Sequence, residues 1–187
     1  MTVLDFHRAF EIAEAAFPHN VLQDSSSLKE AKKRLLNQMT EEMVLLERAK
    51  ELGVSIADSE VDKKIAEIKS DYPEGVFEEI LLEYAVSYES WKKGLKTRML
   101  IEKLVDKELS AQIVITADDI SRYYEENYRA SNLKPDLTDR AQDLNEKIVK
   151  HLRRKKIEKI YKSWIEQIHK EFHIDINEKQ WKKILSS

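Results

Sequence analysis

Apolar residues return every three or four positions over most of this chain, the spacing of one face of an α-helix. The first such stretch carries Leu4, Phe6, Phe10, Ala13 and Phe17. It opens with Thr2 and Asp5 placed as a capping box and is stopped by Pro18 and QDSSS. A second capping box, Ser27 to Glu30, predicts a long helix to about Leu52, with Leu28, Ala31, Leu35, Met39, Leu46 and Ala49 on one stripe and Gly53 just past its end. Val61, Ile65 and Ile68 mark a helix from about Asp58, and after the turn YPEG the run FEEILLEY predicts a short one. Ser87 caps another long helix through Trp91, Leu95, Met99, Ile101, Leu104 and Val105 to about Leu109. Thr116 to Asp119 cap a tyrosine-bearing helix. Thr138 then opens the longest helix, to about Phe172, and Asn177 caps a short last one with Trp181, Ile184 and Leu185.

Three stretches break this period: VSI (54–56), IVI (113–115) and FHIDI (172–176). They are β-branched, and the first two recur in one setting, GVSIADSEV and QIVITADDI, between a helix end and an acidic helix start. They predict one or two very short strand pairs at two equivalent corners, with FHIDI as a candidate third strand. The expected fold class is therefore all-α, multi-helix, with those strand pairs as its only β-structure. Three glycines and three prolines in 187 residues are too few for the turns of a sandwich or a doubly wound sheet.

Composition narrows the function classes. The net charge of −3 gives no global attraction to nucleic acid or an anionic membrane, and the absence of cysteine removes disulfides, thiolate metal sites and thiol catalysis. No apolar run reaches the ~18 residues of a membrane span. No GxSxG, P-loop or GxGxxG occurs. Most carboxylates, such as Asp58, Glu60, Asp118 and Asp119, stand in first helical turns, where the helix dipole explains them, and Glu125 and Glu126 mark no acid–base pair. His169 and His173 have metal-ligand spacing but no third ligand, so a solvated helix end is the better account. The basic run KIVKHLRRKKIEKIYK (147–162) reads as a solvated face, with an electrostatic contact to an acidic client as the next reading. Gly94, inside a helix, suggests a close helix approach. No catalytic residue, metal ligand or cofactor is thus expected. What is left is a set of adaptable apolar side chains: Met39, Met43, Tyr84, Trp91, Met99, Tyr123, Tyr124 and Tyr128. Core packing is their plain role, above all for Trp91 and Met99. Tyr123 and Tyr124, being adjacent, cannot both face one core. Methionine and tyrosine also suit surfaces that accept irregular apolar partners.

The order of the pieces carries a resemblance. NQMTEEMVLLERAKELGVSIADSEVDKKIAEIK, FEEILLEYAVSYESWKKGLKTRMLIEKLVDKEL and IVITADDISRYYEENY together resemble the N-terminal chaperone domain of the SurA family, which groups with the foldases PrsA and PpiD and is similar to the chaperone domain of trigger factor. The matching positions are Gly53, Val61 with Asp62, Ser87 to Trp91, Thr116 to Ile120, and Tyr123 and Tyr124 to Asn127, within about residues 28–128. TVLDF is similar to the family's first helix, and FHIDI after a long helix to its closing helix and strand. In most relatives a parvulin-type prolyl isomerase domain follows the tyrosine helix. Here ASNLKPDLTD has room only for a helix–helix link.

The resemblance implies one chaperone domain over 1–187, with a helical core at 1–129, a link at 130–138 where relatives carry the isomerase, and a closing helix, strand and terminal helix at 139–187. It implies a non-enzymatic, ATP-independent holdase that grips unfolded polypeptides, outer-membrane proteins foremost, at the eight residues named above. The compartment implied is the periplasm, with the signal sequence absent from this chain. A homodimer is compatible with such long helices. Two alternatives stand beside this reading, a helical adaptor for one protein partner and a nucleic-acid-binding helical protein using residues 147–162.

Overall fold

The computed structural model describes residues 1–15, 24–127 and 140–186. Among them are eight α-helices: α1 (Val3–Ala15), α2 (Ser25–Glu51), α3 (Asp58–Ser70), α4 (Val76–Glu83), α5 (Tyr88–Leu109), α6 (Ala117–Asn127), α7 (Arg140–Glu171) and α8 (Glu178–Ser186), with one 3-10 turn at Ser110–Gln112. The all-α class is as expected. Phe17, Pro18, Tyr128, the link at 130–138 and the Thr138 cap lie outside the described residues.

Side chains set most of the boundaries. Thr2 and Asp5 form the reciprocal box at α1, with the Thr2 N–H donating to Asp5 Oδ2 at 2.8 Å and the Asp5 N–H to Thr2 Oγ1 at 3.2 Å. Thr116 and Asp119 repeat it at α6 with 2.9 and 3.2 Å. Ser87 caps α5 by accepting from the Ser90 N–H, and Asn177 caps α8 by accepting from the Gln180 N–H. At α2 the expected Ser27 cap is displaced. Asp24 takes that place, its carboxylate accepting from the Ser27 N–H at 2.8 Å and from the Ser27 hydroxyl. An ionised acceptor at a helix N-terminus outcompetes a serine hydroxyl three residues on.

The chain forms two compact units, one from Met1–Arg48 with Gln167–Ser187, the other from Ala49–Glu166. In the first, α1, α2 and α8 share a core of Phe6, Leu36 and Ile184, with Phe10, Leu35, Met39 and Trp181 packed against it. Lys32 is inside this unit, 6% exposed, and its ammonium donates to the Ile184 carbonyl at 2.9 Å while lying over the Phe10 ring. The lysine thus adds a donor to a carbonyl in the last turn of α8.

In the second unit, Ile56, Val61, Ile65 and Leu95 form a core to which Ile68, Trp91, Met99 and Leu100 add. Phe77 meets Trp91 edge-on with ring centres 4.8 Å apart. Three lysines of α5 reach carboxylates of α3, Lys92 to Asp62, Lys96 to Asp58 and Lys103 to Glu60, so the outer seam of this helix pair is charged. The Trp164 indole N–H of α7 donates to Glu108 of α5 at 3.1 Å.

The strand pairs do not form: among the described residues there is no β-ladder. The extended corners find other partners. Gly53, at φ +61°, ends α2 with its N–H on the Lys50 carbonyl and the Val54 N–H on that of Ala49, a two-bond C-cap that leaves the chain extended at 54–56. Lys107 Nζ donates to the Leu52 carbonyl at 3.0 Å, and Lys156 Nζ to the Val114 carbonyl at 2.8 Å. Lysine ammoniums thus stand where strand neighbours were expected. Gly94 also departs from expectation, because a Cβ built there would have no neighbour within 4 Å.

Candidate functional site

Three stripes of side chains converge in the first unit. On α2, Leu36, Thr40, Met43, Val44 and Glu47 follow one another at helical spacing. On α8 and its cap, Asn177, Gln180, Trp181 and Ile184 do the same. Between them the non-helical segment Phe172–Asn177 and the start of α1, with Val3 and Phe6, complete a groove of about 430 Å³. Its floor is buried: Phe6, Leu36, Val44 and Ile184. Its open rim mixes polar side chains with large apolar ones, Met43 47%, Ile174 38% and Ile176 45% exposed.

The chemistry of the walls is plain. The Thr40 hydroxyl donates to the Leu36 carbonyl of its own helix at 2.7 Å, so the threonine has no free donor left for a ligand. Trp181 stands edge-on to Phe6, with centres 5.6 Å apart, and fixes α8 against α1. The ionisable side chains lining the groove are Glu47, His173 and Asp175, with no lysine or arginine among the described lining residues. His173 Nε2 lies 3.1 Å from Asp175 Oδ2. Among the described residues no group of three or more histidines or carboxylates is placed to hold a metal ion. The arrangement can take up apolar surface; it offers no nucleophile with an adjacent base.

The residues expected from sequence are dispersed. Met43 lines the groove, and Met39 packs just behind it in the α1–α2–α8 core. Trp91 and Met99 pack on the α3–α5 core of the second unit. Tyr84 closes α4 and is 71% exposed. Tyr123 and Tyr124 are half-buried on α6, the Tyr123 ring lying 5.0 Å from the His151 ring and under the Lys155 ammonium. Tyr128 is outside the described residues. Sequence reasoning passed over Ile174, Ile176 and Trp181. The alternation in HIDI was the available signal, since Ile174 and Ile176 share one side of an extended chain.

A second hollow, of about 820 Å³, runs in the other unit beside Asp106, Asn145, Val149, Lys150, Arg153 and Ile157. Charge of both signs lines it, and the basic run there is partly engaged within the protein. Arg154 pairs with Glu158, and Lys156 with Asp119 at 2.7 Å. That lysine, followed by the Thr116 N–H and hydroxyl, holds the Asp119 carboxyl well below the ordinary aspartate range. The apolar groove is therefore the better candidate for an uncharged, irregular ligand.

The family described as SurA-like N-terminal domain matches residues 5–105. Foldase protein PrsA of Clostridium botulinum strain Langeland is 36% identical over 119 residues, which are 60% of this chain and 35% of that protein. Foldase protein PrsA of Clostridium acetobutylicum is 20% identical over 115 residues, 59% of this chain and 34% of that one. The chain thus spans about a third of the length of the curated relatives it matches. No solved structure matches it.

Proposed function

Since this chain belongs to the family of SurA-like N-terminal domains, a chaperone and foldase family, we propose that it is an ATP-independent holdase. It shields apolar segments of non-native polypeptides in the groove of the first unit and releases them unchanged. The observation that carries this reading is a groove with an apolar floor and large apolar side chains on its open rim: Met43, Ile174 and Ile176 are all uncharged and solvent-accessible. Burial of client surface at roughly 25 cal/mol per Å² drives binding, and the ordering of the client chain offsets much of it, so affinity is modest and tolerant of sequence. Its site of action, on this reading, is beyond the cytoplasmic membrane, as the resemblance to the SurA family implies. Outer-membrane proteins, whose strands alternate apolar and polar residues, are the client type that suits such a groove best. The protein holds clients without isomerising them, so prolyl isomerase turnover is expected at background.

The test is suppression of aggregation of a diluted, denatured outer-membrane protein, followed by light scattering with and without ATP. Suppression that needs no ATP is expected. Met43→Lys, a change at an exposed position that leaves stability within about 0.5 kcal/mol, should weaken it severalfold at an unchanged thermal midpoint. Scattering unaffected by a molar excess of the protein defeats the proposal.

A further inference from the structure

The outer face of α4 runs against what stabilises a helix in water. From Asp71 to Glu89 the chain carries six carboxylates and no lysine or arginine. Phe77 anchors α4 inward, while Glu79, Leu82 and Glu83, three and four apart, share its exposed side. Leu82 is 79% exposed, the most of any large apolar residue described. Glu79 and Glu83 are like charges one turn apart, which weakens a helix. Glu83 also ends the helix, where a cation would suit the dipole, and the last turn has none. Among the described residues, no ion pair or side-chain hydrogen bond engages the carboxylates of Asp71, Glu74, Glu79, Glu83 or Glu89.

The sixth carboxylate, Glu78, is a precedent for what this tip accepts. It pairs with the Lys69 ammonium, which lies over the Phe77 and Tyr88 rings, 5.1 and 5.6 Å from their centres. Those rings belong to a row, Tyr72, Phe77, Trp91 and Tyr88, whose two end tyrosines are exposed. The chain's own lysine thus rests on carboxylate and apolar surface together.

We infer that the outer face of α4 docks a polypeptide segment in which lysine or arginine flanks an apolar residue, the apolar side chain covering Leu82 and the cations reaching Glu79 and Glu83. A bare metal ion does not fit, because among the described residues no three carboxylates or histidines gather to hold one. A neutral apolar partner would cover Leu82 but shut Glu79 and Glu83 off from water without counter-charges, which is costly. A segment with both features removes all three defects at once: it shields the leucine, relieves the like charges and brings a cation to the end of the helix. The face lies wholly in the second unit, so this contact is separate from the groove of the holdase reading.

The experiment uses the full chain and a labelled heptapeptide, Lys-Leu-Arg-Phe-Lys-Leu-Arg, with two twins whose basic residues are all glutamate or all serine. Fluorescence anisotropy measures affinity. The parent should bind, both twins should bind more weakly, and salt raised to about 0.5 M should weaken the parent. Glu79→Gln with Glu83→Gln keeps size and helix propensity, and should weaken the parent about threefold or more, as expected for two exposed ion pairs. Leu82→Ser should also weaken it, and Met43→Lys in the groove should not. All these positions are exposed, so unchanged thermal midpoints separate lost contacts from lost folding. Equal affinity of the parent for the wild-type chain and the double glutamine variant overturns the proposal. Failure of the parent to bind overturns it too, and aggregation suppression in that case leaves the holdase reading standing. Loss of parent binding in Met43→Lys overturns it by placing the basic peptide in the groove. A sedimenting mass that rises with protein concentration, and does not in the double glutamine variant, overturns it in favour of a second copy of the chain.

Discussion

Ala85 sits at φ +51°, in the left-handed region where a Cβ meets the following carbonyl. It is held there by the bonds that close α4: the Ala85 N–H donates to the Leu82 carbonyl at 3.0 Å and the Val86 N–H to that of Leu81 at 2.9 Å. Gly53 does the same work at the end of α2 with the residue type that suits it. Ala85→Gly should therefore stabilise the protein, by about 0.5–1 kcal/mol after the entropy that glycine adds to the unfolded chain. Gly94 is the reverse case, a helical glycine with open space where its Cβ would be. Gly94→Ala should gain up to about 1 kcal/mol. Urea unfolding of the two variants checks both expectations, and a loss of stability in either contradicts the local geometry described. The sequence made Gly94 conspicuous and Ala85 invisible, because composition marks the residue type while strain belongs to the backbone angle.

Lys32 shows how one helix depends on another for its end. It is the buried cation that reaches the Ile184 carbonyl, and α8 carries Trp181 and Ile184 into the shared core. Lys32→Ala removes the buried lysine's hydrogen bond to that carbonyl and opens a space beside Phe10, for an expected loss of about 1–3 kcal/mol. Hydrogen exchange should accelerate in α8 first, and uniform change across the chain would count against this role. Helix positions were legible in the sequence wherever a cap and an apolar period agreed, as at Thr2, Ser87, Thr116 and Asn177. At α2 three consecutive serines and an aspartate all offer caps, so the pattern was degenerate and charge decided in favour of Asp24. The strand pairs were misjudged for a different reason. β-branched residues predict extended backbone correctly but do not say what will pair with it, and here lysine side chains and helix ends do so.

Across the molecule as a whole, ionisation favours the folded state over a broad neutral range. Asp5, Asp24, Asp58, Glu60 and Asp119 have lowered pKa values, chiefly through hydrogen bonds from cap N–H groups or lysines. Their contribution is full above the ordinary 3.8 of aspartate and 4.5 of glutamate. It declines as pH falls below those values and is gone once pH has fallen through the lowered folded-state values. Lys69 and Lys92 are raised by Glu78 and Asp62, so their contribution is complete below 10.5 and is lost as pH rises through their higher folded values. The thermal midpoint should hold level near neutrality and drop as pH falls below about 4.5, with Asp119→Asn shallower on the acid side. A midpoint unchanged down to pH ~3 would contradict this.

The family and its run of helices were readable at this scale because each rests on local pattern. The groove was not, since Phe6 and Met43 are far in the chain from Ile176 and Trp181 and no short window contains their meeting. The lysine-held corners have a consequence for chemistry on the protein. Lys107 and Lys156 secure carbonyls that, among the described residues, no peptide N–H secures. An acyl group on either amine would remove its charge and most of its donors, so acetylation should loosen these two bends before it disturbs the helices.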